Sequence, residues 1–231
     1  MDFIKLLKEE LGIELTDKQI NQLDIYYNFL VEKNKVMNLT AITDKDEVYL
    51  KHFYDSITLS KVIKNEDVTL CDVGAGAGFP SIPLKICFPK IKVTIIDALA
   101  KRITFLEELV NKLDLDNVKL VHSRAEDFCK NNREAFDYVT ARAVKRLNVL
   151  AEITIPLVKI NGFFISMKGD YLEELTEAKN GINLLGGEIS NIVEFNLPIE
   201  DSKRSLIVIK KKKETSKKYP RNFNIITKKP L

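Results

Sequence analysis

The chain has 231 residues, of which 45% are hydrophobic and 30% charged, with a formal net charge of +3. These values fit one folded unit with an appendage, and no apolar run nears the ~20 residues of a membrane-spanning helix. The start MDFIKLLKEE does not read as a secretory signal. Cys71, Cys87 and Cys129 are widely separated, there is no C-x-x-C pair, and the histidines are His52 and His122. A metal site is therefore not expected, a reducing cytoplasm is, and the cysteines are expected in the core.

Residues 1–64 read as helical. Thr16 and Gln19 form a capping-box pair, and Ile20, Leu23, Tyr27, Leu30 and Val31 recur at helical spacing. A second helical region is expected over 46–64, after a polar segment at 38–45. From residue 68 onward, strands are expected at 68–73, 92–97, 118–122, 136–141 and 162–167. Helices are expected between and after them, at 80–88, 101–113, 124–132, 145–159 and 170–185. Right-handed crossovers make such a sheet parallel and doubly wound. The runs 188–195 and 204–212 flank Pro198 and are expected to pair as an antiparallel hairpin at the sheet edge. Five βα units closed by a hairpin form the class I methyltransferase pattern: a doubly wound α/β sheet, mostly parallel, here with an N-terminal helical extension. The expected divisions are 1–64 for the extension, 65–213 for the cofactor-binding domain and 214–231 for a basic tail.

The first strand runs into VGAGAGFP, with Asp72 before the loop and Gly74, Gly76 and Gly78 at alternating positions. Glycines there admit positive φ and let the backbone approach a ligand, while the next helix directs free N–H groups at it. Dinucleotide loops read G-x-G-x-x-G, the third glycine serving packing under a pyrophosphate. The G-x-G-x-G spacing with a nearby acid suits S-adenosylmethionine instead, which has an ammonium and a sulfonium and no pyrophosphate. The second strand ends at Asp97, where a carboxylate can accept ribose hydroxyls.

Further residues fall at the carboxyl ends of the later strands, where doubly wound sheets bind ligands. Ala125 and Glu126, after the third strand, are candidates for an adenine slot; a helix N-terminus enriched in acids is the alternative. Arg142, after the fourth, can fork onto a carboxylate or phosphate; a structural ion pair is the alternative. The fourth strand does not lead into [D/N]-P-P-[Y/F], and there is no Pro-Cys nucleophile. A nucleophile with a ready lone pair, such as guanine N7, remains; its alkylation needs positioning and no general base.

Residues 210–231 carry a net charge of +8, so the other 209 are net −5. A basic tail on an acidic body suggests a polyanion partner, and Tyr219 and Phe223 offer stacking surfaces for RNA; a solvated tail is the alternative.

Several strings go further: NKVMNLTAI at 34–42, KHFYDS at 51–56, DVGAGAGFPSIPL at 72–84, SRAED at 123–127, TARAV at 140–144, SMKG at 166–169, KYPR at 218–221 and KKPL at 228–231. With these, nearly the whole chain resembles the bacterial small-subunit ribosomal RNA guanine-N7 methyltransferase family (RsmG, also called GidB). The family often carries a Trp near Asn28–Lys35, and this chain has none; that leaves one packing or stacking contact in question, not the activity. The resemblance implies methyl transfer from S-adenosylmethionine to N7 of a guanine in the 530 loop of 16S rRNA, conventionally position 527. It implies cofactor contacts from Gly74, Phe79, Ala125, Glu126 and Arg142, with Asp97, Ala98 and Leu99 lining the ribose side. Asn38, His52 and Lys168 become catalytic candidates and Asp55 a further candidate for a role at the site; a loop Asn and a capped His are the structural alternatives for Asn38 and His52. Lys168, Lys217, Lys218, Tyr219, Arg221, Lys228 and Lys229 become RNA-binding candidates. The expected partner is 16S rRNA in the 30S subunit or its assembly intermediate, and the expected enzyme is a cytoplasmic monomer. The competing readings are a small-molecule methyltransferase, which leaves the tail unexplained, a non-catalytic ribosome-assembly factor and, more distantly, a nicotinamide dehydrogenase.

Overall fold

The structure is a computed structural model that describes residues 2–231. Its centre is a seven-stranded sheet in the order β3-β2-β1-β4-β5-β7-β6. The strands are β1 (Thr69–Val73), β2 (Lys92–Asp97), β3 (Val118–His122), β4 (Phe136–Arg142), β5 (Val158–Lys168), β6 (Gly187–Asn196) and β7 (Lys203–Lys211). The first five are parallel; β7 runs antiparallel between β5 and β6, forming the expected edge hairpin. After β1 the chain builds outward through β2 and β3, then returns to lay β4 on β1's other side. Ligands bind outside the strand ends at such a reversal.

Side chains alternate between two buried faces, as the period of a strand requires. Leu70, Val93, Ile95 and Ile165 face one core, which also takes the N-terminal helices. Cys71, Val73, Ile96 and Phe164 face the other, beneath α8 (Leu147–Thr154) and α9 (Leu172–Leu184). The three cysteines are buried thiols, as expected.

The N-terminal helices are α1 (Phe3–Leu11) and α2 (Asp17–Met37). The expected capping box starts α2: Gln19 N–H donates to Thr16 Oγ1 at 3.3 Å, and Thr16 N–H to Gln19 Oε1 at 2.8 Å. Leu23 and Leu30 are buried on its inner face as the spacing predicted, but Tyr26 and Phe29, not Tyr27, complete that face. Positions 26 and 27 both fit a helical stripe with 23 and 30. Tyr26 wins because its hydroxyl finds a buried acceptor, the Ala77 carbonyl in the glycine loop, at 2.5 Å.

Residues 45–61 are helical throughout: α3 (Lys45–Val48), a π turn at Tyr49–Tyr54, α4 (Asp55–Ile57) and a 3₁₀ turn at Thr58–Lys61. The π turn inserts one residue and rotates the downstream side chains about the helix axis by about 100°, a device common at functional sites. It holds His52 and immediately precedes Asp55.

The remaining helices are α5 (Ser81–Cys87), α6 (Ala100–Lys112), α7 (Ala125–Cys129) and α10 (Phe223–Lys228). The expected helix at 145–159 is shorter than predicted: it stops at Thr154, a 3₁₀ turn covers Ile155–Leu157, and β5 begins at Val158. Pro156 has no N–H for an α-helical bond and ends the helix. Helix 124–132 likewise shrinks to α7.

Candidate functional site

A cleft of about 450 Å³ opens at the reversal point between the ends of β1 and β4. The glycine loop forms its floor, and the three glycines differ in role. Gly74 has φ +76°, and a Cβ there would sit 2.9 Å from Val144 Cγ2. Gly76 has φ +61°, and a Cβ would meet no protein atom within 4 Å, so its open side belongs to whatever enters the cleft. Gly78, expected at the cofactor, does not line the cleft. Its absent Cβ would lie 2.8 Å from the Tyr26 hydroxyl and 2.9 Å from Ile82 Cγ1, so it is a packing glycine that lets α2 dock.

Asp72 is also displaced from the expected role. It is fully buried under the loop and does not line the cleft. Its Oδ2 accepts from Ser81 N–H at 3.1 Å, starting α5, while Oδ1 is buried with no hydrogen-bond partner among the described residues. Burial pushes this carboxyl up to about 7, with Arg142 pulling the other way. An unsatisfied carboxyl below the glycines favours a donor or cation above them.

Asp97, at the end of β2, lines the cleft as expected. Its Oδ1 accepts from Leu99 N–H at 2.9 Å; its Oδ2 accepts from Gly76 N–H and from Arg102 Nη1, each at 3.2 Å. The carboxylate thus ties the loop to the second strand, and Oδ1 keeps a lone pair for a hydroxyl. Ala98, Leu99, Ala125 and Glu126 line the same wall. An acid for a diol, a small residue beside a carboxylate and a glycine floor over a buried acid fit a nucleoside carrying an amino acid.

The opposite wall comes from β4 and the π turn. Arg142 Nη1 donates to Asp55 Oδ2 at 2.8 Å and to the Lys51 carbonyl at 3.3 Å. Its guanidinium carbon lies 4.9 Å from the centre of the Phe79 ring. Arg142 is therefore held in a structural ion pair, and it also lines the cleft. Asp55 is 6% exposed and also accepts from Arg204 Nε at 3.1 Å, so one carboxylate holds two arginines. Sequence spacing had no signal for Arg204, which β7 brings 149 residues along the chain from Asp55.

His52 stacks on Phe79 with ring centres 4.6 Å apart, and its Nε2 lies 2.8 Å from Thr40 Oγ1. Burial and the nearby Arg142 charge push its pKa down to about 4. It is neutral at pH 7. His52, Arg142 and Ala143 also line a second cleft, of about 380 Å³, reached from Ile42, Lys168 and Arg204. The two clefts thus meet across a shared wall.

These shifts predict a pH effect. The unfolded imidazole binds its proton near pH 6.5 and the folded one near 4, so His52 costs folding stability as pH falls through that window. Asp72 has the opposite sign: its folded value is above its unfolded one, so its contribution is lost as pH rises towards 7. Denaturant unfolding of His52→Asn against the parent is expected to show the stability difference shift in the variant's favour between pH 7 and 4, on the order of 2 kcal/mol. A difference independent of pH would place the imidazole in water.

Other expected residues fall elsewhere. Asn38 is the left-handed C-cap of α2 (φ 50°), is exposed and lines neither cleft. Lys168 lines the second cleft, but its ammonium is engaged by Glu174 and the Lys145 carbonyl, each at 2.7 Å, so it is not a free phosphate ligand. Tyr219 is 6% exposed and packs in the core, which removes the stacking surface expected of it. Arg221 forks onto Glu152, with Nε to Oε1 at 2.8 Å and Nη2 to Oε2 at 2.6 Å, so it is a core anchor in place of an RNA contact. Lys217, Lys218, Lys228 and Lys229 are exposed. Among the described residues no three His, Cys, Asp or Glu gather as a metal site, and no helix is long and apolar enough to cross a membrane.

A family model described as GidB, rRNA small subunit methyltransferase G, matches residues 19–207. The chain is 56% identical to the ribosomal RNA small subunit methyltransferase G of Oceanobacillus iheyensis, over 99% of this chain and 98% of that one. It is 54% identical to the Bacillus subtilis protein of the same name, over 96% and 95%. The fold is similar to a SAM-dependent methyltransferase from Aquifex aeolicus (TM-score 0.53, 22% identity, 73% of this chain and 94% of that one). It is also similar to TYW2 of M. jannaschii, solved in complex with AdoMet (TM-score 0.57, 16% identity, 74% and 77%). At those identities the likeness establishes the class I methyltransferase-like α/β fold.

Proposed function

The chain belongs to the rRNA small subunit methyltransferase G (GidB) family, and on that basis we propose that it transfers the methyl group of S-adenosylmethionine to N7 of a guanine in the 530 loop of 16S rRNA, acting as a cytoplasmic monomer. The observation that carries this reading is the pair of adjoining clefts sharing His52, Arg142 and Ala143. One has the acid, glycine floor and small-residue wall for the cofactor; the other leaves room for a base on the far side of the shared wall.

The bound cofactor supplies an electrophilic methyl on a sulfonium. The chain's own part is geometric. Asp97 holds the ribose side, Gly76 leaves backbone open beneath it, and Ala125 and Glu126 border the base. Arg142, fixed by Asp55 and Phe79, offers donors to a carboxylate. Guanine N7 has a lone pair in the ring plane, so no proton leaves before attack and no side chain need act as base. His52, neutral at pH 7, stacks without adding charge where a cationic product forms.

The test is transfer of radiolabel from S-adenosylmethionine to 30S subunits from a strain lacking the gene, mapped by cleavage at N7-methylguanine. Label at one guanine of the 530 loop supports the reading. Cofactor binding with no label on any ribosomal particle favours a small-molecule substrate, and neither binding nor label favours the assembly-factor alternative. For the RNA contact, changing Lys217, Lys218, Lys228 and Lys229 together to Gln is expected to weaken RNA binding and flatten its log–log salt slope by about 3. An unchanged slope would move the RNA surface off the tail.

A further inference from the structure

Phe223 sits on the C-terminal α10, far in sequence from the strand ends that build the cofactor cleft, yet it lines that cleft. The Arg124 guanidinium lies over its ring at 5.4 Å, and Arg124 immediately precedes the candidate adenine-slot residues Ala125 and Glu126. An aromatic ring is thereby delivered to the nucleoside side of the cleft by a segment whose composition reads as a solvated RNA-binding tail.

The segment is pinned on both sides of that ring. Before it, the Arg133 guanidinium donates to the Tyr219 carbonyl at 2.6 Å and to the Thr215 carbonyl at 2.7 Å, and Tyr219 packs in the core. Next to it, Arg221 meets the fully buried Glu152 through Nε, Nη2 and its own N–H. After it, Ile226 is fully buried. A flexible tail could brush a ligand; one with anchors at 219, 221 and 226 holds Phe223 in a fixed place.

We propose that Phe223, with Arg124 over its ring, is a cofactor-binding residue that closes the adenosine end of the cleft, so that residues 214–231 are a wall of the cofactor site as well as a basic outer surface. This rests on the S-adenosylmethionine reading above. The ring supplies a stacking face for a purine, and Arg124 orients the ring and polarises it.

The experiment is calorimetric titration of the full-length chain with S-adenosylhomocysteine, for the parent, Phe223→Ala, Phe223→Leu and Ile225→Ala. Ile225 is 51% exposed on the same helix and does not line the cleft. Phe223→Ala is expected to lose roughly ten- to hundredfold in affinity. Phe223→Leu keeps an apolar side chain for folding and is expected to lose most of the same, while Ile225→Ala stays at the parent value. The chain contains no Trp, so Phe223→Trp creates a lone fluorophore whose emission is expected to change on titration with the same ligand. Parent-like affinity in both folded Phe223 variants overturns this inference and leaves the cofactor reading standing. A parent that binds neither S-adenosylhomocysteine nor S-adenosylmethionine overturns the cofactor reading and this inference with it.

Discussion

Arg221→Ala is expected to lower folding stability by about 3–5 kcal/mol, because it strands the buried Glu152 carboxylate. Glu152 has zero exposure, and both of its oxygens accept from Arg221 alone among the described residues. With the guanidinium gone, only the residue-221 N–H remains as a donor to a carboxylate in an apolar layer formed by α8. The cost would read as a fall of roughly 10 °C in melting temperature for a chain of this size. Arg221→Lys is expected to restore little, since an ammonium cannot reproduce the two-pronged fork. Adding Glu152→Gln to Arg221→Ala is expected to return part of the loss by removing the buried charge. A melting temperature within a degree of the parent for Arg221→Ala would mean that the tail is not held through this pair. Lys217→Ala, on the exposed surface of the same segment, is expected to change stability by less than about 0.5 kcal/mol.

Arg142→Ala is expected to have the largest effect on methyl transfer, a fall in kcat/KM of roughly 10²–10³. Arg142 is the residue through which both clefts are organised: it lines each of them, pairs with Asp55 and lies over Phe79. Its loss removes a cation from the wall the two clefts share and releases one side of Asp55, leaving Arg204 as that carboxylate's partner. Two measurements separate the positioning role from a purely structural one. The affinity for S-adenosylhomocysteine and the single-turnover rate on 30S subunits are both expected to fall for Arg142→Ala, in protein whose melting temperature still shows a folded state. Arg142→Lys is expected to recover stability more than rate, since Lys has the charge and not the fork. Normal turnover by the folded fraction would confine Arg142 to an ion pair.

The parallel strands were legible because a strand buried on both faces needs a near-continuous apolar run in place of strict alternation, and TLC in β1 and VTII in β2 are such runs. The cleft floor was legible because a tight strand-to-helix loop needs glycine at fixed offsets, and the place of Asp97 on the cleft because the carboxyl end of a strand opens there. These are local requirements, met within a few residues of chain. The less legible features depend on residues far apart. Gly78 belongs to the glycine pattern but serves the packing of Tyr26, 52 positions earlier. Tyr26 and Tyr27 fit the same helical stripe, and a carbonyl on another element selects between them. Asp55 is joined to Arg142 and Arg204 only where β4 and β7 reach the π turn.

The tail shows the division most clearly. Its net charge and its lysines are set by composition, which limits the partners it can attract. Whether a given cation reaches that partner depends on burial. Lys211 is 1% exposed, pushed down to about 8 by burial, and held by the Ile155 and Leu185 carbonyls. Arg221 is consumed by Glu152, and Phe223 turns inward to the cleft. Local chemistry set the strands, the glycine loop and the cofactor class, because backbone conformation and ligand complementarity act over neighbouring residues. Long-range packing chose which charges face solvent and which aromatic closes the site, because the desolvation of a charge depends on every element packed around it.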